Sequence, residues 1–434
     1  MTEAQLGSNF VPASKVHDER RRDERLSRNL VLNLLRKLSV GALTVEEGGR
    51  RYDFGEPAAT ATVAATIVVH DSAMYREVLL RGSIGAGESF MQGYWSSPEL
   101  TQVVRVLVLN MHLLDDMDGR AITPRKIFTA LSKFSFKVYH ALRANSRTGS
   151  RKNIAAHYDL GNDFYKLFLD PSMMYSAAIF PQPESSLHEA SLYKIDRICK
   201  KLQLNAGDHL LEIGTGWGGL AIHAARHYGC RVTTTTISQE QFNYAQASIA
   251  AAGLSDRVEV LLKDYRDLDG HYDKLVSVEM IEAVGHQYYR QYFEKCASLL
   301  KAEGLMLIQA ITIPDQRYEA AHRSVDFIQR YIFPGGSLPS ISVIAQTVAR
   351  HTDLTISGIE EITQHYARTL RAWRQRFIAQ LEQVRQLGYD ERFIRMWEFY
   401  LCYCEGGFIE RSIGTHQLVF AKPGCRVEPQ LGVL

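Results

Sequence analysis

The sequence predicts an α/β protein in which a parallel sheet wrapped by helices follows a smaller α+β domain. After Asn153, short β-branched strands alternate with segments of helical apolar spacing, which is typical of a parallel sheet with crossover helices. The 434 residues carry 46% hydrophobic and 23% charged side chains, an ordinary globular composition, and could form two or three domains. Because the formal net charge is only +2, no nucleic-acid partner is expected.

Changes of composition divide the chain into four predicted segments. These are a charged, flexible tail over 1–29, a small α+β domain over 30–118, a basic linker helix over 119–152 and an α/β domain over 153–434. In the small domain we expect helices over Leu30–Leu38 and Ala73–Leu80, strands over Gly41–Val45 and Ala59–Val69, and flexible turns over Gly82–Gly87.

The linker segment 119–152 holds nine Lys and Arg residues and no Asp or Glu. Apolar residues from Ile127 to Val138 recur at helical spacing and would line one face of a helix. A basic helix with an apolar face suits an anionic membrane surface. An interdomain helix with a solvated basic face fits the same segment equally well.

No segment has the pattern of an export signal or a spanning helix. The N-terminus is polar, and the most apolar stretch, Val103–Leu114, is interrupted by polar residues. The six cysteines contain no CxxC pair, which disfavours a disulfide framework or a structural zinc site and favours a reducing compartment. We therefore expect a cytoplasmic protein associated peripherally with the inner face of the membrane.

Apolar and β-branched runs define the elements of the larger domain. Strands are predicted over His209–Ile213, Arg231–Ile237, Val258–Leu262, Lys274–Val278 and Leu305–Ile311, with helices over Gly219–His227, Gln239–Ala252 and Tyr288–Leu300. Prolines and glycines interrupt the pattern over 314–340. The chain is expected to close with a strand over Leu354–Ile359, helices over Thr369–Leu387 and Arg392–Ile409, and a strand over His416–Ala421.

The strongest motif is a glycine-rich turn, Gly214–Gly219, which follows the first of these strands and opens a helix. Glycines let a ligand approach the backbone, so the turn alone could serve NAD, FAD or S-adenosylmethionine (SAM). Dinucleotide folds usually end the second strand with an acid, whereas Thr233–Ser238 contains none, which disfavours a nicotinamide oxidoreductase. Glu212, at the end of the first strand, resembles the acidic strand end of SAM-dependent methyltransferases.

Two later segments also fit a SAM site. Lys263–Asp267 follows the third strand, where methyltransferases place an acid and an aromatic side chain against adenine. Ser277–His286 ends the fourth strand, so Glu279 and Glu282 should lie at the carboxyl edge of the sheet, where open α/β sheets bind ligands. The apolar residues around these two acids predict that at least one of them is partly buried.

With these motifs, the chain resembles the cyclopropane-fatty-acyl-phospholipid synthase family, which includes enzymes similar to mycolic acid cyclopropane synthases. The supporting segments are Ala156–Asp163, Met174–Ser176, the glycine-rich turn, Asp264–Leu268, Ser277–His286, Tyr331–Pro339 and His365–Trp373. The resemblance implies a Rossmann-like SAM-dependent methyltransferase domain and a lipid-engaging N-terminal domain. It also implies transfer of a methylene from SAM to the double bond of an unsaturated phospholipid acyl chain in an anionic membrane, which forms a cyclopropane.

The resemblance further implies a base that takes a proton from the newly added methyl group. In the family this base is a bicarbonate ion held by a Glu, a Tyr, a His and backbone N–H groups. Glu282 and Tyr366 match the Glu and the Tyr, while the His position is Gln309. Ala177 stands where the family has a Cys, and Ile311 offers a further backbone N–H.

For SAM, the implied contacts come from the segments already described. The matching positions are Tyr158, Tyr175, Ser176, Glu212, Gly214, Gly216, Thr236, Gln241, Asp264 and Tyr265. Asn162 lies beside Tyr158 on a segment expected to close over the ligand. No metal is expected, because the histidines near these motifs do not have a metal-ligand spacing.

Two alternative functions are a different methylated lipid product and lipid binding without catalysis. Because Gln309 and Ala177 depart from the family pattern, a methyl- or methylene-branched acyl chain is the alternative product. A non-catalytic lipid-binding protein would need neither the glycine-rich turn nor Glu282 and Tyr366, and is disfavoured. The sequence leaves open the acyl chain length, the double-bond position, the head group and the oligomeric state, including a homodimer.

Overall fold

The computed structural model describes residues 13–111 and 160–428, with side chains from residue 23 onward. The chain divides into two compact units, Met1–Ala130 and Leu131–Leu434. The basic segment 119–152 and Tyr158 lie outside the described residues, so both remain predictions.

Over residues 13–111, the N-terminal unit combines three helices with a four-stranded sheet. Its elements are α1 (Ala13–Leu35), β1 (Ala42–Glu47), β2 (Arg50–Gly55), β3 (Ala64–Val69), α2 (Ala73–Met91), β4 (Trp95–Ser96) and α3 (Leu100–Leu109). The strand order is β2-β1-β3-β4, with β1 antiparallel to β2 and parallel to β3. Strand β2 was not predicted from the sequence, because three of its side chains are charged and exposed.

Two expectations for this unit are wrong. Residues 13–29 are helical rather than a flexible tail, because Ala13–Leu35 contains no Gly or Pro and buries Val31, Leu32 and Leu35 against the core. The glycines of Gly82–Gly87 belong to α2 rather than to flexible turns, with a kink only at Gly82. Gly85 permits close packing, since a Cβ there would lie 2.0 Å from the carbonyl oxygen of Glu77.

The second unit alternates helices and strands over most of its length. Its first half contains α4 (Asn162–Lys166), α5 (Leu187–Lys201), β5 (His209–Ile213), α6 (Gly219–Tyr228), β6 (Arg231–Thr236), α7 (Gln239–Ala251), β7 (Val258–Leu262) and β8 (Tyr272–Val278). Its second half contains α8 (Tyr289–Leu299), β9 (Leu300–Thr312), α9 (Asp315–His322), α10 (Phe327–Tyr331), α11 (Ile341–His351), β10 (Thr355–Glu361), α12 (Thr363–Ala379), α13 (Leu381–Gln386), α14 (Glu391–Ile409) and β11 (Gly414–Ala421).

These strands form one seven-stranded sheet in the order β10-β11-β9-β8-β5-β6-β7. Strands β5 to β9 pair in parallel with one another, whereas β11 pairs antiparallel with both β9 and β10. Apolar clusters cover both faces of the sheet, as expected for parallel strands between helices. The strand order reverses beside β5, which places a ligand crevice at the carboxyl ends of β5 and β8.

The predicted α/β class is confirmed, and β5 and β7 have the predicted bounds. The expected helix Thr369–Leu387 is instead two helices, α12 and α13, which meet at Gln380. Helix α5 was not predicted, although Ser186 and Glu189 form a capping box at its N-terminus. The Pro- and Gly-containing region 314–340 also holds two short helices, α9 and α10.

Candidate active site

The glycine-rich turn lies at the carboxyl end of β5. Gly214, Gly216 and Gly218 all have positive φ, a backbone conformation that glycine adopts at little cost. The N–H groups of Gly214 and Thr215 both donate to the carbonyl oxygen of Thr235 at 3.0 Å. A Cβ built on Gly216 would meet no heavy atom within 4 Å, so open space borders the turn where a ligand could approach.

Glu212 lies near the end of β5, two residues before Gly214 of the glycine-rich turn. Its carboxylate is 4% exposed and accepts a hydrogen bond from the Thr234 hydroxyl at 2.6 Å. Burial raises the pKa of Glu212 to about 8, despite the opposing effects of Thr234 and Lys194. These contacts tie β5 to β6 directly beneath the turn.

The second and third strands end in polar side chains that are already paired. The Thr236 hydroxyl donates to Gln241 Oε1 at 2.9 Å, at the start of α7. The buried Asp264 carboxylate accepts from the guanidinium of Arg266 at 2.7 Å and from its backbone N–H. Tyr265 packs edge-on against Tyr292, with the ring centroids 5.5 Å apart.

The segment Tyr175–Ala177 directly follows Met174, whose Sδ would lie 3.2 Å from a Cβ on Gly219 at the end of the glycine-rich turn. The hydroxyls of Tyr175 and Tyr400 are 2.9 Å apart, and Ser176 Oγ accepts from Lys194 Nζ at 2.8 Å. Asn162 is also close to the turn, since its Oδ1 accepts from Trp217 Nε1 at 2.6 Å.

An aromatic cluster surrounds Tyr175 and Tyr366. The ring of Tyr175 lies 5.2 Å from that of Trp373, and the ring of Tyr366 stacks on Phe408 at 4.4 Å. The members of this aromatic cluster are Tyr175, Phe333, Tyr366, Trp373, Tyr400 and Phe408. Such ring faces can stabilise a desolvated cation by about 2 kcal/mol.

Glu279 is the centre of the site. It follows β8 directly, and its φ of 50° is unusual for a residue with a Cβ. Its Oε1 accepts from the Ala177 N–H and from Gln309 Nε2, each at 2.8 Å, while its Oε2 accepts from the Tyr366 hydroxyl at 2.7 Å. Burial raises the pKa of Glu279, and the three donors oppose that rise.

A polar chain extends from this carboxylate toward helix α5. Gln309 Oε1 accepts from Gln417 Nε2 at 2.9 Å, and Gln417 Oε1 accepts from Lys201 Nζ at 2.6 Å. Gln309 and Gln417 are fully buried, so both amides depend on these partners.

Glu282 has different partners from those expected. The predicted partners Tyr366, Gln309 and Ala177 all donate hydrogen bonds to Glu279. Glu282 accepts from none of these three and instead accepts from the Ile311 N–H. The other carboxylate oxygen of Glu282 is buried and has no hydrogen-bond partner in the described part of the chain. Burial, and then the nearby Glu279, raises the pKa of Glu282 to about 8, so its protonated form prevails at neutral pH.

The same geometry changes the expectation of a bicarbonate base. The side chains and backbone amide expected to bind the ion already donate to the Glu279 carboxylate. A free anion could use these donors only by displacing Glu279. The sequence indicated Glu279 but not its hydrogen-bond partners. It did not indicate Lys194, because nothing in that segment distinguishes it from a surface lysine.

The sheet order, the glycine-rich turn and the paired side chains at the strand ends define a SAM-dependent methyltransferase of the Rossmann-like class. The family model described as mycolic acid cyclopropane synthetase matches residues 145–418. The chain belongs to this family, and it is a SAM-dependent methyltransferase.

Three similar proteins extend this finding. The chain is 42% identical to tuberculostearic acid methyltransferase UfaA1 of Mycobacterium tuberculosis, over 84% of this chain and 86% of that protein. It is 36% identical to the cyclopropane-fatty-acyl-phospholipid synthase of Escherichia coli, over 84% and 90% respectively. The structure of mycolic acid cyclopropane synthase CmaA1 complexed with SAH and CTAB is 32% identical and has a TM-score of 0.59, covering 63% of this chain and 98% of that one.

Within residues 13–111 and 160–428, no group of three or more His, Cys, Asp or Glu side chains is arranged to hold a metal ion. Among the same residues, no helix is both long and apolar enough to cross a membrane.

Proposed function

We propose that this enzyme transfers the methyl carbon of SAM to the double bond of an unsaturated phospholipid acyl chain and then closes a cyclopropane ring. The observation that carries the proposal is the Glu279 carboxylate, which three donors hold beside the glycine-rich turn. Met280, the next residue, lies 3.6 Å from where a Cβ on Gly214 would stand, so base and turn are neighbours. The 36% identity to a cyclopropane synthase supports the same product.

The residues around the turn fit SAM, which supplies an electrophilic methyl group when bound. The positive-φ glycines leave the backbone open to the ligand, and Gly216 borders unfilled space. In this proposal Tyr175, Ser176, Thr236 and Gln241 orient SAM, while Asp264 and Tyr265 face its adenine. Glu212 acts indirectly by holding the two strands beneath the turn.

The chain's own residues then control the cation. Addition of the methyl group to the alkene leaves a carbocation on the acyl chain, and the aromatic cluster stabilises it. Glu279 takes one proton from the new methyl group, and the electron pair of the broken C–H bond closes the ring. A fixed carboxylate suits this step, since general-base catalysis requires the base within reach of the proton that it removes.

A methylene-branched acyl chain is a second candidate product. The 42% identity to a methyltransferase named for tuberculostearic acid favours it, as do Gln309 and Ala177, which depart from the family pattern. In that case a hydride shift along the acyl chain would move the cation to the carbon that bears the new methyl group. Loss of a proton from that methyl group would then leave a C=CH2 branch.

Mass spectrometry of lipids tests both products. Cells that express the chain should gain phospholipids heavier by one CH2 group, and the gain should disappear in a Glu279→Gln variant. The cyclopropane product resists mild hydrogenation, whereas a methylene branch takes up hydrogen. An unchanged lipid profile, with the protein expressed and SAM available, would contradict the proposed function.

We also propose that the basic segment 119–152 docks the enzyme on anionic lipid. Replacing Lys126, Lys133, Lys137 and Arg143 by Glu should abolish binding to anionic liposomes at low salt, because each cation near such a surface contributes about 1 kcal/mol. A matched variant reverses four exposed charges of the second unit, Lys200, Arg231, Arg323 and Arg392, and should still bind. Equal sedimentation of both variants with liposomes would contradict the docking role.

A further inference from the structure

Lys194 is a fully buried amine to which the proposed mechanism assigns no role. It lies on α5 with 0% of its surface exposed, and its Nζ donates to Ser176 Oγ at 2.8 Å. Burying an ammonium group without compensation is costly, so such groups are normally paired with acids.

Burial lowers the pKa of Lys194 to about 8, and three acids from different parts of the unit oppose that shift by favouring the charged amine. Lys194 interacts electrostatically with Glu279, with Asp170 and with Glu212, in decreasing order of effect. Asp170 is 1% exposed and also contacts His188 Nδ1 at 2.8 Å, while Glu212 is held by Thr234. Among these acids, Glu279 is the one that the proposed mechanism uses.

A short path of contacts joins Lys194 to Glu279. The amine holds the side chain of Ser176, and the next residue, Ala177, donates its backbone N–H to Glu279 Oε1 at 2.8 Å. Lys194 therefore affects Glu279 in two ways. Its charge acts on the carboxylate, and its hydrogen bond to Ser176 positions the backbone N–H of Ala177 that donates to Glu279.

We infer that Lys194 is a positioning residue that keeps Glu279 ionised and so ready to accept the proton. This inference rests on the proposed function of Glu279 as the base. Lys194 would not touch the lipid or SAM in this role, since it acts through the electrostatic field at Glu279 and through Ser176.

The groups that face Glu279 give the direction of the effect. The Ala177 N–H, the Gln309 amide and the Tyr366 hydroxyl lower the pKa of Glu279, and the Lys194 charge lowers it too, against the effect of burial. The remaining neighbour, Glu282, has its own pKa raised to about 8, so it is largely neutral at lower pH. Removing the Lys194 charge therefore raises the pKa of Glu279 and shrinks its ionised fraction at a given pH.

The test is the pH dependence of kcat on vesicles of dioleoyl phosphatidylglycerol with saturating SAM. In Lys194→Met, which keeps the apolar stem, the acidic limb of the profile should move up by about one pH unit. Ser176→Ala removes the hydrogen bond but keeps the charge, so its acidic limb should move less than that of Lys194→Met, whatever its SAM affinity. Lys194→Gln offers a second neutral variant if Lys194→Met does not fold, as judged by thermal unfolding.

An unmoved acidic limb in a folded neutral variant would overturn the inference, even if kcat fell at every pH. The failure of the proposed function gives a different result. If Glu279→Gln keeps full activity, Glu279 is not the base. If Glu279→Gln is inactive and the Lys194→Met profile is unmoved, only the role of Lys194 is wrong.

Discussion

Replacing Glu279 by Gln is expected to lower kcat by about 10²–10⁴-fold, the usual contribution of a general base, while SAM affinity stays close to that of the wild type. The amide oxygen can still accept from the Ala177 N–H and from the Gln309 amide, and the amide NH2 can donate to the Tyr366 hydroxyl, so the local fold should persist. Single-turnover kinetics and calorimetry with SAM measure the two effects separately. The matched control is Glu294→Gln, an acid on α8 that pairs with Arg290 at the surface, and its kcat should be unchanged.

A smaller side chain at the same position allows a chemical rescue. Glu279→Gly would free the Ala177 N–H, the Gln309 amide and the Tyr366 hydroxyl, and glycine accepts the φ of 50° without strain. Added bicarbonate should then restore part of the activity of Glu279→Gly and leave the wild type unaffected. If wild-type enzyme stripped of bicarbonate is inactive until the ion returns, a bound anion is the base and Glu279 only shapes its site.

The second large effect is expected from Gly219→Ala at the first residue of α6. Its Cβ would lie 2.6 Å from the carbonyl oxygen of Ser172, a backbone atom that cannot rotate away. The clash should push the glycine-rich turn away from the segment that carries Tyr175 and Ser176. Overpacking of this kind costs about 1–3 kcal/mol, which predicts a lower Tm and a SAM Kd raised by roughly tenfold or more.

A glycine elsewhere in the same unit provides the control for this prediction. A Cβ on Gly358 would have only an ordinary contact, 3.9 Å from Val419 Cβ, so Gly358→Ala should leave SAM affinity unchanged. Wild-type Tm and SAM affinity in Gly219→Ala would mean that the two segments do not have to approach this closely to bind the cofactor.

Much of the sheet could be predicted because its strands carry their own signal. β5 and β7 are short runs of apolar residues bounded by polar or glycine residues, and both were predicted with their observed bounds. Strand β2 carries no such signal, since charged side chains occupy half of its positions. The first part of helix α1, before Leu30, was not predicted because dense charge also fits a disordered tail. Glu and Arg are nevertheless good helix formers.

The sequence indicated several residues that meet at the candidate site, but not Lys194 and not the hydrogen bonds that connect them. Sequence spacing placed two acids at the end of β8, three residues apart, without deciding which of them meets Tyr366. The answer depends on the positive φ of Glu279, which turns that side chain toward Ala177 and Gln309. Neither spacing nor composition predicts such a backbone angle for a glutamate, because few residues with a Cβ adopt it.

The hydrogen bonds of the polar chain all run in one direction, from Lys201 to Glu279, because the Lys201 ammonium group can only donate hydrogen bonds. An ammonium group has no lone pair, so Gln417 must turn its oxygen toward Lys201 and its NH2 group toward Gln309. Gln309 must in turn present its own NH2 group to the carboxylate. A single surface-proximal amine thus dictates the orientation of two buried amides, and the base receives a donor that carries no titratable proton of its own.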